Sequence, residues 1–389
     1  MYYIIVTILI QYICYDKNMN IRDYCVWRGD ITFDIDPFNY VDNLVFSILS
    51  YYDFDEYFKN NEVYTIKQLF DLYSKDRQSD GLLKLIANTK RYSNLKVHNY
   101  VSILHKEKIE QFAALMIDLD FFTTIVSYRG TDDTLTGWNE DFRLSYTEIP
   151  AQKDALDYLN NNSKFYKKYI VLGHSKGGHL ALYASVKCNK NIQKRIIKVI
   201  SNDGPGLSDG SYNQNDYENI KDRFIKIIPE KSLFGLLFEN NEKRIVIKSS
   251  ANGLEQHNME TWQVEGNKLV ELDDTDDNSK LTKQVFDDFL IKTTKESRKI
   301  FIREYFNKLR LSDINTISDF ASGDIIKILT VLKNINDVND VAKDTTGILM
   351  KCFIDVYGSS FIKNVGHTVS NIAEGAVKQF EQIANLTKK

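Results

Sequence analysis

The chain has 389 residues, 43% of them hydrophobic, and a formal net charge of -3. That length and apolar content exclude a disordered chain and predict one large domain plus a smaller one. The balance of charge, with no stripe dominated by Lys and Arg, argues against a nucleic-acid binder, whose phosphate partner favours a clustered basic excess.

Residues 1–18 open on the apolar run Tyr2 to Cys14, shorter than the ~20 residues that cross a bilayer. The run lacks a basic n-region and a small-residue cleavage site. Polar Asp16, Lys17 and Asn18 follow, and Met19 is the expected true start. A cytoplasmic protein is expected, with a membrane anchor in residues 1–18 as the alternative. Cys14, Cys25, Cys188 and Cys352 lie far apart with no Cys-x-x-Cys pair, which excludes a zinc ribbon or a dense disulfide framework and predicts reduced, structural thiols.

Apolar residues from Tyr40 to Tyr52 recur at helical spacing, and a second helical stretch covers Thr65 to Tyr73. Gln111 to Leu119 and Phe122 to Tyr128 read as a hairpin, followed by the polar loop Arg129 to Asp133, the segment Trp138 to Phe142 and a helix over about 152–160. Tyr169 to Gly173 predicts a strand that runs into Gly173-His174-Ser175-Lys176-Gly177, and Leu180, Ala181, Tyr183, Ala184 and Val186 predict a helix packing back on the sheet. Strands at Ile196 to Ile200, Phe224 to Ile228 and Ile245 to Ile247 come next. Strand alternating with helix indicates a mostly parallel α/β sheet with helices on both faces. Beyond about Asp276 the pattern turns to amphipathic helices, with Ser312, Thr316 or Ser318 as caps and Ile325 to Leu332 on one face. The expected organisation is therefore 1–18 as an apolar segment, 19–275 as the α/β domain and 276–389 as an all-helical extension.

A Gly-x-Ser-x-Gly turn between a strand and a helix lifts its serine onto a strained elbow, which makes Ser175 the candidate nucleophile. The pentapeptide alone is a weak signal; its flanking strand and helix carry the weight. Such chemistry needs a base, an acid that orients the base, and two N–H donors for the developing oxyanion. With the order Ser, acid, His, the histidines at 98, 105 and 174 drop out. His179 sits four residues along the elbow helix, where it cannot swing over Ser175, and reads as a packing residue. His257, in the loop after the Arg244 to Lys248 strand, is the expected base, ahead of His367 in the helical tail.

Asp203 ends the first strand after the nucleophile helix and is the expected acid, with Glu230 as the alternative and Asp209 and Asp222 behind them. An Asp before Gly-Pro-Gly is also a common turn residue. The oxyanion donors would be the main-chain N–H of Lys176 and that of Thr131, whose hydroxyl could join. No cofactor or metal is expected.

These residues resemble the class three lipases of the α/β-hydrolase fold, in which an Arg-Gly-Thr/Ser loop supplies an oxyanion donor ahead of Gly-His-Ser-x-Gly-Gly. Tyr128-Arg129-Gly130-Thr131 and Gly173 to Gly178 match. Closer still is a lipase-like family of unassigned substrate marked by Trp-x-Gly-Asp, Asn-x-Val-Asp-Asn, Gly-His-Ser-Lys-Gly-Gly, Asn-Asp-Gly-Pro-Gly and a late Gln-His before Trp. Here these are Trp27 to Asp30, Asn39 to Asn43, Gly173 to Gly178, Asn202 to Gly206, and Gln256-His257 with Trp262; the resemblance covers roughly residues 20–360. It implies a serine esterase or lipase acting on a carboxylic ester, with lipid esters leading; the expected partners are a small-molecule or lipid ester substrate and, transiently, a membrane surface. One departure stands out: class three lipases carry their acid in an Asp-x-Val segment after a later strand, and Ser232 falls at that place here. Asp203 or Glu230 must then serve, or the chain is a catalytically weak, lipase-like binding protein.

Overall fold

The computed structural model describes residues 19–76, 81–132, 135–208, 210–239, 242–311 and 338–357. The apolar segment 1–18 with Cys14, as well as Asp209, the caps expected at Ser312, Thr316 and Ser318, the face at 325–332 and His367, lie outside these residues. The chain divides into two units: Met1–Asp132 with Glu148–Ser279, and Asp133–Thr147 with Lys280–Lys389.

The first unit is built on a mixed sheet. Its strands are β1 (Val63–Thr65), β2 (Lys96–His105), β3 (Glu110–Asp118), β4 (Thr123–Tyr128), β5 (Lys168–His174), β6 (Ile196–Asn202), β7 (Phe224–Pro229) and β8 (Arg244–Ile247). β9 (Val264–Glu265) and β10 (Lys268–Leu269) form a separate ribbon, and β11 (Glu271–Leu272) returns to the edge beside β8. Spatial order follows chain order from β1 to β8; β1 to β4 run antiparallel, β4 to β8 parallel, and β11 antiparallel to β8. Its parallel part is the α/β sheet that the strand and helix alternation predicts, in the α/β-hydrolase-type fold that the resemblance implies.

Helices α1 (Ile21–Arg28), α2 (Tyr40–Leu49), α3 (Ile66–Asp76) and α4 (Leu82–Ile86) precede the long strands. After them come α5 (Leu135–Arg143), α6 (Pro150–Asn162), α7 (Lys176–Lys187), α8 (Lys190–Gln193), α9 (Gln214–Glu218), α10 (Asp277–Lys292), α11 (Lys295–Leu311) and α12 (Asp340–Tyr357). Ile125, Ile170, Leu172, Ile200 and Ile227 share one buried cluster with Val41, Leu44 and Val45 of α2. Their strand neighbours Val126, Val171 and Val199 are equally buried and, by the two-residue period of a strand, lie on the other face, where α7 packs on β5 and β6 and α6 packs on α7. Burial on both faces is why these strands read as continuous apolar runs.

Capping boxes start α1 and α2: Asn20 pairs with Asp23, and Asn39 with Asp42, each side chain taking the other residue's backbone N–H. Asp42 does more than cap. Fully buried, it accepts from Arg91 Nε at 2.8 Å, Arg91 Nη2 at 2.5 Å and Tyr92 Oη at 2.6 Å. Arg91 lies 3.9 Å above the Phe33 ring and donates to the Asp36 carbonyl at 2.9 Å. Every polar atom of the pair that needs a partner finds one, which is what makes a dry ion pair tolerable.

In the second unit, α5, α10, α11 and α12 supply a helical cluster in which Val285, Phe301, Ile302, Leu349 and Phe353 are buried. Tyr305 Oη and Thr346 Oγ1 meet at 2.7 Å within it. Cys25, Cys188 and Cys352 are buried and free, as structural thiols are expected to be. Among the described residues no helix is long and apolar enough to cross a membrane.

Candidate active site

Ser175 stands between the last residue of β5 and the first of α7 with φ 56° and ψ -129°, outside the regions that an L-residue ordinarily visits. Close packing imposes this bend. A Cβ on Gly173 would meet Tyr128 O at 2.7 Å, and one on Gly177 would meet the carbonyl carbon of Arg129 at 2.8 Å, so β4 can pass beside the turn only because both positions are glycine. Asn202 closes the elbow from the other side: its carbonyl accepts from Ser175 N at 2.9 Å and its amide donates to Gly173 O at 3.2 Å. The same amide group exchanges two hydrogen bonds with Asn43, at 2.7 and 3.0 Å, and donates to Ser47 Oγ at 2.9 Å. Two motif asparagines distant in sequence therefore fasten α2 to the ends of β5 and β6.

Asp203 follows β6 with φ 48°. Its Oδ2 lies 2.6 Å from His257 Nδ1, and its Oδ1 accepts from Ser232 Oγ and from Gly235 N at 3.1 Å. Burial alone would raise this carboxyl's pKa; the hydrogen bond and charge of His257, with the Ser232 hydroxyl, outweigh it and hold the pKa below the usual carboxylate range. Ser232, the residue noted in the sequence at the place of a later acid, is thus a hydrogen-bond donor to Asp203. Glu230, the alternative acid, accepts instead from Gln256 Nε2 at 3.3 Å. Asp222 lies in a turn before β7, at the opposite end of the strand from Pro229 and Glu230.

His257 ends the short helical turn Gly253–His257 after β8. Buried Trp262 fixes the turn by donating its indole N–H to Gln256 O at 2.7 Å, and Gln256 Oε1 accepts from Lys231 N at 2.9 Å. The imidazole is held between two rings, Phe234 at 4.4 Å and His174 at 4.5 Å between centroids. His174 is one of the histidines set aside as a base on chain order. As a base it stays set aside, but its Nε2 lies 2.8 Å from the His257 carbonyl and its Nδ1 2.8 Å from Tyr51 Oη. A carbonyl only accepts, so Nε2 carries the proton and Nδ1 accepts from the tyrosine. Desolvation, with the nearby His257 charge, lowers the His174 pKa to about 3 and keeps that tautomer neutral.

His179 is buried in α7, with Nδ1 on Gly206 O at 2.9 Å and Nε2 on the Gln152 amide at 2.8 Å, a packing role as expected. Lys176 Nζ, also buried, donates to Gln111 O at 3.0 Å, while Gln111 Oε1 accepts from Asp132 N at 3.2 Å. One residue of β3 thereby anchors both the start of α7 and the loop that carries Thr131. The loop lies against the elbow: a Cβ on Gly130 would meet Ser175 Cβ at 3.0 Å and His174 O at 2.5 Å.

Ser175, Asp203, His257 and Thr131 thus follow β5, β6, β8 and β4 at their C-terminal ends, the edge where α/β folds assemble reactive groups. Neither Ser175 Oγ nor His257 Nε2 is engaged in a hydrogen bond among the described residues. A buried carboxylate, an imidazole oriented by it and a strained serine at one sheet edge form a constellation able to perform acyl transfer. Among the described residues no group of His, Cys, Asp and Glu could hold a metal ion.

Two of the solved structures similar to the chain are lipases. One is a crystal structure of M37 lipase, 15% identical over 50% of this chain and 68% of that one, with TM-score 0.33. The other is a fungal lipase–inhibitor complex, 13% identical over 54% of this chain and 78% of that one, with TM-score 0.34. No curated protein matches. The Mbeg1-like family model spans residues 86–307, more than half of the sequence and inclusive of the serine, aspartate and histidine just described, and the chain belongs to that lipase-like family.

Proposed function

We propose that the protein is a serine hydrolase that cleaves a carboxylic ester, of a lipid by its resemblance to class three lipases, through an acyl-enzyme on Ser175. The observation that carries this reading is the 2.6 Å contact between His257 Nδ1 and the buried Asp203 carboxylate at the edge where Ser175 stands. His257 Nε2 removes the Ser175 proton as Oγ attacks the ester carbonyl; Asp203 holds the tautomer and stabilises the imidazolium. The N–H of Lys176, first in α7, and that of Thr131 take the oxyanion. The imidazolium proton then goes to the departing alkoxide, and water repeats the cycle at the acyl-serine, releasing the carboxylic acid.

Exposure to a fluorophosphonate, followed by mass spectrometry, tests the assignment. Labelling confined to Ser175, abolished in Ser175→Ala and matched by turnover of a short-chain nitrophenyl ester, is the expected result. A folded chain that neither labels nor turns over the ester would overturn it and leave a lipase-shaped binding protein.

A further inference from the structure

At the end of the sheet opposite Ser175, several large apolar side chains stand in water. Phe165 is 86% exposed, Phe121 71%, Phe122 59% and Tyr166 40%. The rings form one continuous cluster, with Phe121 and Phe122 edge to face at 5.0 Å between centroids, Phe121 and Tyr166 stacked at 6.0 Å, and Phe165 and Tyr166 edge to face at 5.4 Å. Scattered exposed apolar residues need no explanation, but a contiguous aromatic patch marks a contact surface. Stiff backbone presents these rings. Asp120 Oδ1 accepts from Phe122 N and Thr123 N, both at 2.7 Å, and Lys168 N donates to Phe122 O at 2.7 Å. Tyr169 Oη fixes the second loop by accepting from Lys164 N at 2.6 Å.

Positive charge surrounds the rings. Lys164, Lys168 and Lys194 are exposed, and Arg195 donates to the carbonyls of Lys164 and Lys167. Of the carboxylates at this edge, Asp118 is engaged by Lys167 Nζ at 2.8 Å and Asp120 by the turn amides, while Asp34 is exposed in the lining of the neighbouring cavity. A cavity of about 710 Å³ opens at the same end, walled by Phe33, Phe38, Leu119 and Ile170, with Lys198 in its lining.

We propose that this edge docks the protein onto an anionic lipid surface, the four aromatic rings entering the interface and Lys164, Lys168, Lys194 and Arg195 meeting its acidic headgroups. Aromatic rings settle at headgroup level, and Lys or Arg beside them is drawn by the surface potential of anionic lipid. Protein interfaces, in contrast, are depleted of lysine, so the lysine ring favours lipid over a protein partner. Since the docking edge is remote from Ser175, the proposal stands or falls independently of the hydrolase reading.

The full chain is sedimented with vesicles of phosphatidylcholine alone and of phosphatidylcholine with about one third phosphatidylserine, at low and high salt. Expected are binding to the anionic vesicles, at least roughly tenfold weaker binding to the neutral ones, and loss in high salt. Phe121→Ser with Phe165→Ser should lower the affinity by about tenfold or more, and Lys164→Glu with Lys168→Glu should lower it while flattening the salt dependence. Both variants alter exposed side chains and should keep the parent's thermal unfolding midpoint. No sedimentation with anionic vesicles at low salt, or aromatic variants that sediment like the parent, would overturn the proposal; so would a patch-dependent association of the chain with itself in place of vesicle binding.

Discussion

In the proposed mechanism, Asp203→Asn separates orientation of the base from everything else the aspartate does. Two donors, Ser232 Oγ and Gly235 N, already converge on Oδ1. The asparagine carbonyl oxygen must therefore occupy that position, which turns the amide NH₂ toward His257 Nδ1. Nδ1 is then forced to accept, the ring proton moves to Nε2, and the imidazole can no longer take the Ser175 proton. A wrong tautomer in otherwise intact geometry costs about 10⁴ in turnover, roughly 5 kcal/mol. Asparagine tolerates the positive φ of 48° at this position as well as aspartate does, so the fold is not the confounder. The assay is ester turnover alongside the fluorophosphonate labelling rate, with thermal unfolding as the control. Rates within tenfold of the parent's would show that Asp203 does not orient the base.

Ser232→Ala removes one hydrogen bond to the ionised form of Asp203 and should raise that carboxyl's pKa, lowering kcat/KM by roughly tenfold to a hundredfold and moving the acidic limb of the pH–rate profile to higher pH; an unchanged limb would refute this. Arg91→Met leaves the Asp42 carboxylate buried without its cation and should destabilise the fold by about 3–5 kcal/mol in urea titration, while a loss under 1 kcal/mol would mean the site relaxes to admit water. Burial lowers the pKa of His174 to about 3 and that of His179 to about 4. Unfolded histidines near 6.5 bind more protons than these two, so their contribution is fully present above that pH and is lost below it, at up to about 2.7 kcal/mol per pH unit near pH 5. Stability that stays flat from pH 6.5 to 4.5 would contradict the neutral, buried assignments.

Ser175 and Asp203, the proposed nucleophile and acid, stand out in the sequence because each directly follows an apolar strand, and His257, the proposed base, because it lies in the loop after β8. β2 does not stand out. A register shift between His98 and Val101, with Asn99 at φ 53°, breaks its alternation, so no period of two survives to be read. The three-residue β1 is too short for a pattern, and the segment expected as Trp138 to Phe142 is the longer helix α5, grouped with the C-terminal helices rather than with the sheet. His174 and Ser232 were visible as letters but not as parts of the site. Their roles come from contacts made across 83 and 29 positions, to the His257 carbonyl and the Asp203 carboxylate, which no local pattern encodes. Lys176 was read through its main chain alone, and its side chain proves to reach back to Gln111, 65 positions earlier.

The asparagine pair beneath the elbow bears on how much of the chain the reactive edge requires. Asn43, Ser47 and Tyr51 all precede residue 86, where the family match begins, yet they grip Asn202 and His174 directly. A fragment trimmed to the matched region would keep the serine, aspartate and histidine but lose the clamp that sets the spacing between their strands. The N-terminal segment thus braces the proposed site, and a fragment lacking it is expected to fail at the proposed chemistry even if its sheet assembles.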